Sequence, residues 1–211
     1  MNFVVSSHSR FARIFIFNRK KFVPNFAKQY NVTCYAIICA TIEKTAELAY
    51  IYQKIAIQMR PRIYIDTSVI GGYFDDEFED ASKRLFTRIA NRDFDVYFSE
   101  VNETELSLAP KFIRDLKKLI PEECYKYLDL DDESKKLAET YIIERVLGQA
   151  SLNDAYHIAI ASVNRLDCLV SWNFKHIVNF DKIKLFNSIN LKLGYPLIDI
   201  RTPLEFLKYE D

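Results

Sequence analysis

The stretch that decides the fold is Arg62-Ile63-Tyr64-Ile65-Asp66-Thr67-Ser68-Val69-Ile70. Ile63, Tyr64 and Ile65 are β-branched or aromatic, and no charge interrupts them, so they read as a buried strand. The run then meets a carboxylate, Asp66, followed by Thr67 and Ser68, both good helix N-caps. Gly71-Gly72 loosens the backbone beyond them. In an α/β protein this places an acid at the carboxyl end of a strand, where such folds keep their active sites. A plain cap of the next helix is the other reading of Asp66.

Downstream of Met59 strands and helices alternate. Arg62–Asp66 is followed by an amphipathic helix over residues 80–91, with Leu85, Phe86, Ile89 and Ala90 inward. Residues 94–99 read as a second strand, and Ser99 caps a helix carrying Glu105 and Leu106. Pro110 opens a helix that runs to Leu119 and stops at Pro121. Residues 124–130 read as a third strand. An acidic helix start at Asp131-Asp132-Glu133 runs to about Leu147, where Gly148 ends it. Ser151-Leu152-Asn153-Asp154 begins a helix of small apolar residues, dense enough for tight packing on a sheet. Residues 168–171 make a fourth strand, 180–193 a helix, 196–200 a short last strand and 203–207 a final turn. Strands separated by helices predict a mainly parallel sheet covered on both faces.

Composition agrees with one packed domain plus an appendage. The chain has 211 residues, 49% of them apolar, with only 4 Gly and 6 Pro, which argues against disorder and against a turn-rich all-β fold. Its net charge of zero hides an asymmetry. Residues 1–58 carry eight Lys and Arg against two acids, and residues 59–211 carry 21 against 27. Residues 1–42 hold no acid at all. Such a start reads as a dispensable extension or upstream DNA translated by mistake, as a transit peptide, or as a helical subdomain. Met59, the only Met besides Met1, lies just before the first strand, so 1–58 is set apart from a domain at 59–211. None of the four cysteines forms a CxxC pair, which points to free thiols in a reducing, cytoplasmic setting. The longest apolar run, residues 32–42, is too short to span a bilayer.

Three carboxylates fall at element ends: Asp66 after the first strand, Glu105 early in the helix after the second, and Asp154 in the first turn before the fourth. In a parallel sheet these points can converge. Clustered carboxylates repel unless a cation sits between them. The cluster therefore suggests either an acid–base pair of raised pKa or a hard-metal site, and all-oxygen ligation favours Mg²⁺ or Mn²⁺. His157, three residues after Asp154, can contact these acids or be a satisfied core histidine. His176 can protonate a leaving oxygen, contact a phosphate or cap a helix. Thr67 and Ser68 can orient Asp66 or merely cap. Arg62, Arg84, Lys111 and Lys175 are bases that could meet a polyanion, and Glu103 and Asp75 read as surface acids.

The run Tyr64-Ile-Asp-Thr-Ser-Val resembles the opening of PIN domains, the nuclease domain of VapC-type toxins. Ser99 to Glu105-Leu106 is similar to the family's second motif, Asn153-Asp154-Ala155-Tyr156-His157-Ile158-Ala159 to its third, and Ser171-Trp172-Asn173-Phe174-Lys175-His176-Ile177 to its fourth. The resemblance covers about residues 61–205. It implies a three-layer α/β/α fold, an Mg²⁺-dependent endoribonuclease acting on RNA, a partner antitoxin and a homodimer. It maps the metal acids onto Asp66, Glu105 and Asp154. The fourth motif usually offers an acid where this chain has Asn173, whose carbonyl can still serve a metal or a water. That neutral residue is the best evidence for a rival, a PIN-like module that binds RNA or protein with little catalysis. A phosphatase with an Asp nucleophile would want a second acid at position 68, which is Ser.

Overall fold

In the computed structural model the chain divides into two units, Met1–Met59 and Arg60–Asp211. The structure describes residues 60–208 and, before them, Tyr50 alone. The expectations for residues 1–58 otherwise lie outside the described residues, as do Cys34 and Cys39.

Five strands form one parallel sheet: β1 (Arg62–Ile65), β2 (Asp95–Ser99), β3 (Tyr125–Leu128), β4 (Cys168–Val170) and β5 (Asp199–Arg201), in the order β3-β2-β1-β4-β5. The stretch that opens the domain is thus the central strand, paired on both sides. Because every strand runs the same way, all carboxyl ends share one edge. The intervening helices are α1 (Thr67–Gly72), α2 (Glu79–Ala90), α3 (Glu100–Ser107), α4 (Lys111–Arg114), α5 (Asp132–Ile143), α6 (Leu152–Val163), α7 (Phe180–Leu193) and α8 (Pro203–Lys208).

Alternation along β1 divides the core. Ile63 and Ile65 pack on one face with Leu85, Phe86 and Ile89 of α2, Val69 and Ile70 of α1 and Leu207 of α8. Tyr64 points to the other face, into a cluster with Tyr141 of α5, Ile158 of α6 and Phe186 of α7. The result is the expected helix–sheet–helix sandwich. Burying each such side chain contributes about 1.5–3 kcal/mol. Cys124 and Cys168 are buried free thiols.

Several boundaries differ from the sequence reading. Gly71 and Gly72 do not loosen the chain; they are the last turn of α1. A Cβ on Gly72 would lie 2.7 Å from Trp172 Cδ1, so this glycine admits the indole, which donates to Ser82 Oγ at 2.9 Å. The segment after Pro110 is one α-turn followed by a 3-10 helix over Asp115–Leu119. β3 and β5 are shorter or shifted, since pairing with a neighbour, not residue type, sets their ends. The acidic helix stops at Ile143, before Gly148. Arg145 adopts a left-handed φ of 58°, and Val146 N–H donates to Tyr141 O at 3.0 Å, a Schellman-type closure. Val146 and Leu147 remain buried after the stop, which is why the apolar period in the sequence runs past the helix end.

Candidate active site

Asp66 follows β1 and Ser171 follows β4, so the parallel register sets them side by side: Asp66 N–H donates to Val170 O at 3.0 Å. The Asp66 side chain makes no cap bond to α1. Its Oδ2 instead accepts from Ser68 Oγ at 2.5 Å and Ser171 Oγ at 2.6 Å. Ser68 Oγ also accepts from Trp172 N at 2.9 Å. With Oδ2 saturated, Oδ1 is the oxygen left to face the sheet edge.

That oxygen meets His157, which is 1% exposed. Nε2 lies 3.5 Å from Asp66 Oδ1 and 3.2 Å from Glu105 Oε2. Helical spacing explains the meeting: Asn102 and Glu105 are three residues apart on α3, as are Asp154 and His157 on α6, so each pair shares a face. Glu105 Oε1 accepts from Asn153 Nδ2 at 3.2 Å. Burial pushes the Glu105 carboxyl toward its neutral form, but hydrogen bonds from His157, Thr67 and Asn153 outweigh it and hold its pKa below the usual range. Burial likewise opposes a charged His157, yet the bond to Glu105 and the charges of Asp66, Glu105 and Asp154 prevail and raise its pKa.

Behind the imidazole lies a buried polar network. Tyr64 OH is 2.7 Å from His157 Nδ1, 2.6 Å from Ser99 Oγ and 2.8 Å from Asn102 Oδ1. Asn102 Oδ1 also accepts from Ser99 N at 2.8 Å, and its Nδ2 donates to Ile65 O at 3.0 Å and Thr67 Oγ1 at 3.3 Å.

Asp154 stands in a second arm. Its Oδ1 accepts from Asn173 Nδ2 at 2.8 Å. Asn173 Oδ1 accepts from His176 N at 3.0 Å, and Asn173 N donates to Ser171 Oγ at 2.9 Å. An obligate donor and an obligate acceptor thus fix the amide's orientation. Burial raises the Asp154 pKa; His176 opposes this, and the Asp66 charge adds to it. Burial lowers the His176 pKa, helped by Lys182, whose Nζ is 3.1 Å from His176 Nδ1. Lys175 is exposed on the same loop.

The structure therefore brings Asp66, Glu105 and His157 together, with one ligand atom of each within 4.8 Å of the others. Asp154 is outside that set and is linked to it through Asn173 and Ser171. Asn173 does not act as an exposed carbonyl; it presents its NH₂ to Asp154. Thr67 and Ser68 serve Glu105, Asn102 and Asp66 through their hydroxyls. Arg62 opens β1 at the opposite edge and pairs with Asp167 at 3.3 Å, so it does not reach the acids. Glu103 pairs with Lys117 at 2.6 Å, and Asp75 accepts from Glu77 N at 2.9 Å, as surface acids do. Sequence reasoning missed Tyr64 and Asn102 as site residues. The signal available was that a tyrosine inside a buried strand needs a partner for its hydroxyl. Two carboxylates and an imidazole nitrogen at this spacing are a donor set that fits a divalent cation. Among the described residues no other group of three such side chains lies as close.

A family model for the PIN domain matches residues 63–181, more than half of the chain. The chain belongs to the PIN domain family. Asp66, which follows the central strand, Glu105 on α3, Asp154 on α6 and Asn173 in the loop after β4 all fall inside the match. No curated protein matches the chain. Solved structures do. VapBC2 of Rickettsia felis, bound to a DNA fragment from its promoter, is 14% identical over 67% of this chain and 98% of its own, with a TM-score of 0.41. FitAcB of Neisseria gonorrhoeae is 16% identical over 67% and 98%, with a TM-score of 0.44. DNA-bound VapBC of Salmonella typhimurium is 16% identical over 68% and 98%, with a TM-score of 0.44.

Proposed function

We propose that this PIN domain is a metal-dependent endoribonuclease, the toxin of a toxin–antitoxin pair, acting in the cytoplasm as a homodimer. The observation that carries the enzymatic part is the convergence of Asp66, Glu105 and His157 within 4.8 Å at the carboxyl edge of the sheet. Asp66, Glu105 and Asp154 would hold Mg²⁺ or Mn²⁺. Such a cation supplies a Lewis acid and a water of lowered pKa for attack on an RNA phosphodiester. Ser68 and Ser171 fix the Asp66 carboxylate so that one oxygen faces the site. Asn173 aims Asp154. Lys175, His176 and Lys182 put positive charge or donors on the rim, where a phosphate would pass.

The toxin assignment is supported by the likeness of the four motifs to VapC-type PIN domains. An antitoxin would find apolar area at Phe74 and Phe112, both exposed and in T-shaped contact at 5.0 Å. Among the described residues no helix is long and apolar enough to cross a membrane. The rival binding-module reading drew on a neutral residue at 173, and the Asn173–Asp154 bond gives that amide a use in the site. The test is Asp66→Asn. It should abolish Mg²⁺- or Mn²⁺-dependent RNA cleavage while leaving circular dichroism unchanged, and full activity in the variant would refute the mechanism.

A further inference from the structure

We propose that His157 Nε2 is itself a ligand of the cation, so that the site is a mixed nitrogen–oxygen set that prefers Mn²⁺ to Mg²⁺, with Tyr64 holding the imidazole in the ligating tautomer. This rests on the metal-dependent reading above and names a ligand that the carboxylate set does not contain.

The tautomer follows from a count of protons. Asn102 is oriented by its Nδ2, which gives to the carbonyl of Ile65, so its Oδ1 only accepts. Tyr64 OH lies 2.8 Å from that Oδ1 and 2.6 Å from Ser99 Oγ, whose own hydroxyl can donate to it, so the Tyr64 proton goes to the amide oxygen, since two lone pairs at that distance repel. Tyr64 has then spent its proton. Its oxygen can only accept from His157 Nδ1, 2.7 Å away. Nδ1 therefore keeps its hydrogen, and Nε2, which in the metal-free charged ring holds a proton toward Glu105, is the nitrogen on which a cation can take that proton's place. That is the atom facing the carboxylates. Partners that fix a ligating imidazole in this way raise its basicity and set its plane.

Distance agrees with direct ligation. Adjacent donors about 2.1 Å from one small cation lie roughly 3.0–3.4 Å apart, depending on coordination number. Nε2 is 3.2 Å from Glu105 Oε2 and 3.5 Å from Asp66 Oδ1. The nitrogen thus stands at a ligand–ligand spacing from Glu105 and just beyond it from Asp66, on a ring whose buried, packed position against Tyr64 leaves it little room to swing aside. An imidazole in the set shifts preference toward Mn²⁺, because Mg²⁺ takes oxygen.

The experiment uses the full chain and the metal ions alone, without RNA. Calorimetry should show Mn²⁺ binding on the order of tenfold tighter than Mg²⁺. Electron spin-echo modulation of bound Mn²⁺ should show coupling to a directly bonded ¹⁴N. The coupling should change to the ¹⁵N pattern when only histidines are labelled, vanish in His157→Gln and survive in His176→Gln. Mn²⁺ bound without nitrogen coupling would overturn the proposal and leave the carboxylate reading intact. Coupling lost in His176→Gln and kept in His157→Gln would overturn it too. If neither ion binds, the metal-dependent reading fails along with it. The wild-type spectrum decides the matter even if His157→Gln does not fold.

Discussion

Asn173→Asp places an acid where PIN domains usually have one, and the structure says it should harm the metal-free protein. Asn173 Nδ2 donates to Asp154 Oδ1 at 2.8 Å. The substitution turns that donor into a second carboxylate. Two charges about 4 Å apart repel by about 4 kcal/mol at an effective dielectric of 20. Both side chains are partly exposed, so solvent screens about half of this, and the lost charge-assisted hydrogen bond adds about 1.5 kcal/mol. The net cost is about 2–4 kcal/mol, or roughly 5–15 °C in Tm for a unit of this size. Asn173→Ala adds no charge and should lose hydrogen bonds alone, the one to Asp154 and the one from His176 N–H. The two variants then diverge with a cation present: excess Mn²⁺ should restore most of the loss in Asn173→Asp and little in Asn173→Ala. Lowering the pH toward 5 should also rescue the Asp variant, since the pair can share a proton. Thermal melting in EDTA, then in Mn²⁺, reads all of this. A metal-free Asn173→Asp melting within a degree or two of wild type would mean that the Asn173–Asp154 contact does not form.

Other outcomes follow from the same geometry. Arg145 sits at φ 58° where glycine is unstrained, so Arg145→Gly should stabilise by about 0.5–1 kcal/mol and raise Tm by about 2–4 °C; a lower Tm would show that the arginine side chain contributes more than the strain costs. Without a cation, His157 has a folded pKa above its unfolded value of about 6.5. The stability it confers is complete below pH 6.5 and is lost as pH rises through the folded pKa. The metal-free Tm should therefore fall on the alkaline side of pH 6.5, and His157→Gln should flatten that limb; an unchanged slope in the variant would assign the effect elsewhere. A chain beginning at Met59 should retain metal-dependent cleavage and melt within a few degrees of the full chain, and insolubility or a larger drop would make residues 1–58 a structural element.

The parts of the site that were legible in the sequence are those whose chemistry stands out against the local pattern. Asp66 and Asp154 are charges at the ends of apolar elements, Glu105 stands in the last turn of the polar α3 and not early in it as expected, and the parallel sheet follows from the alternation of strands and helices. Tyr64 is hidden for the opposite reason, and His157 shows only by half, as a histidine three residues after Asp154 that reads equally as a satisfied core residue. Each fits its surroundings, Tyr64 as a strand former between two isoleucines and His157 as one more buried residue on a small-residue helix. Their polar atoms acquire meaning only across 93 positions, when β1 and α6 bring hydroxyl and imidazole to 2.7 Å. Asn173 is an intermediate case. Its residue type is visible and reads as a missing charge, but its direction depends on His176 N–H, which claims the carbonyl and turns the NH₂ toward Asp154. The helix ends fail in the same way. The glycine rule finds Gly148, whereas α5 closes on Arg145 because Val146 and Leu147 are drawn into the core. A left-handed arginine there costs about 1–2 kcal/mol, less than the burial of two apolar side chains returns. Burial can therefore set a boundary that backbone propensity would place elsewhere.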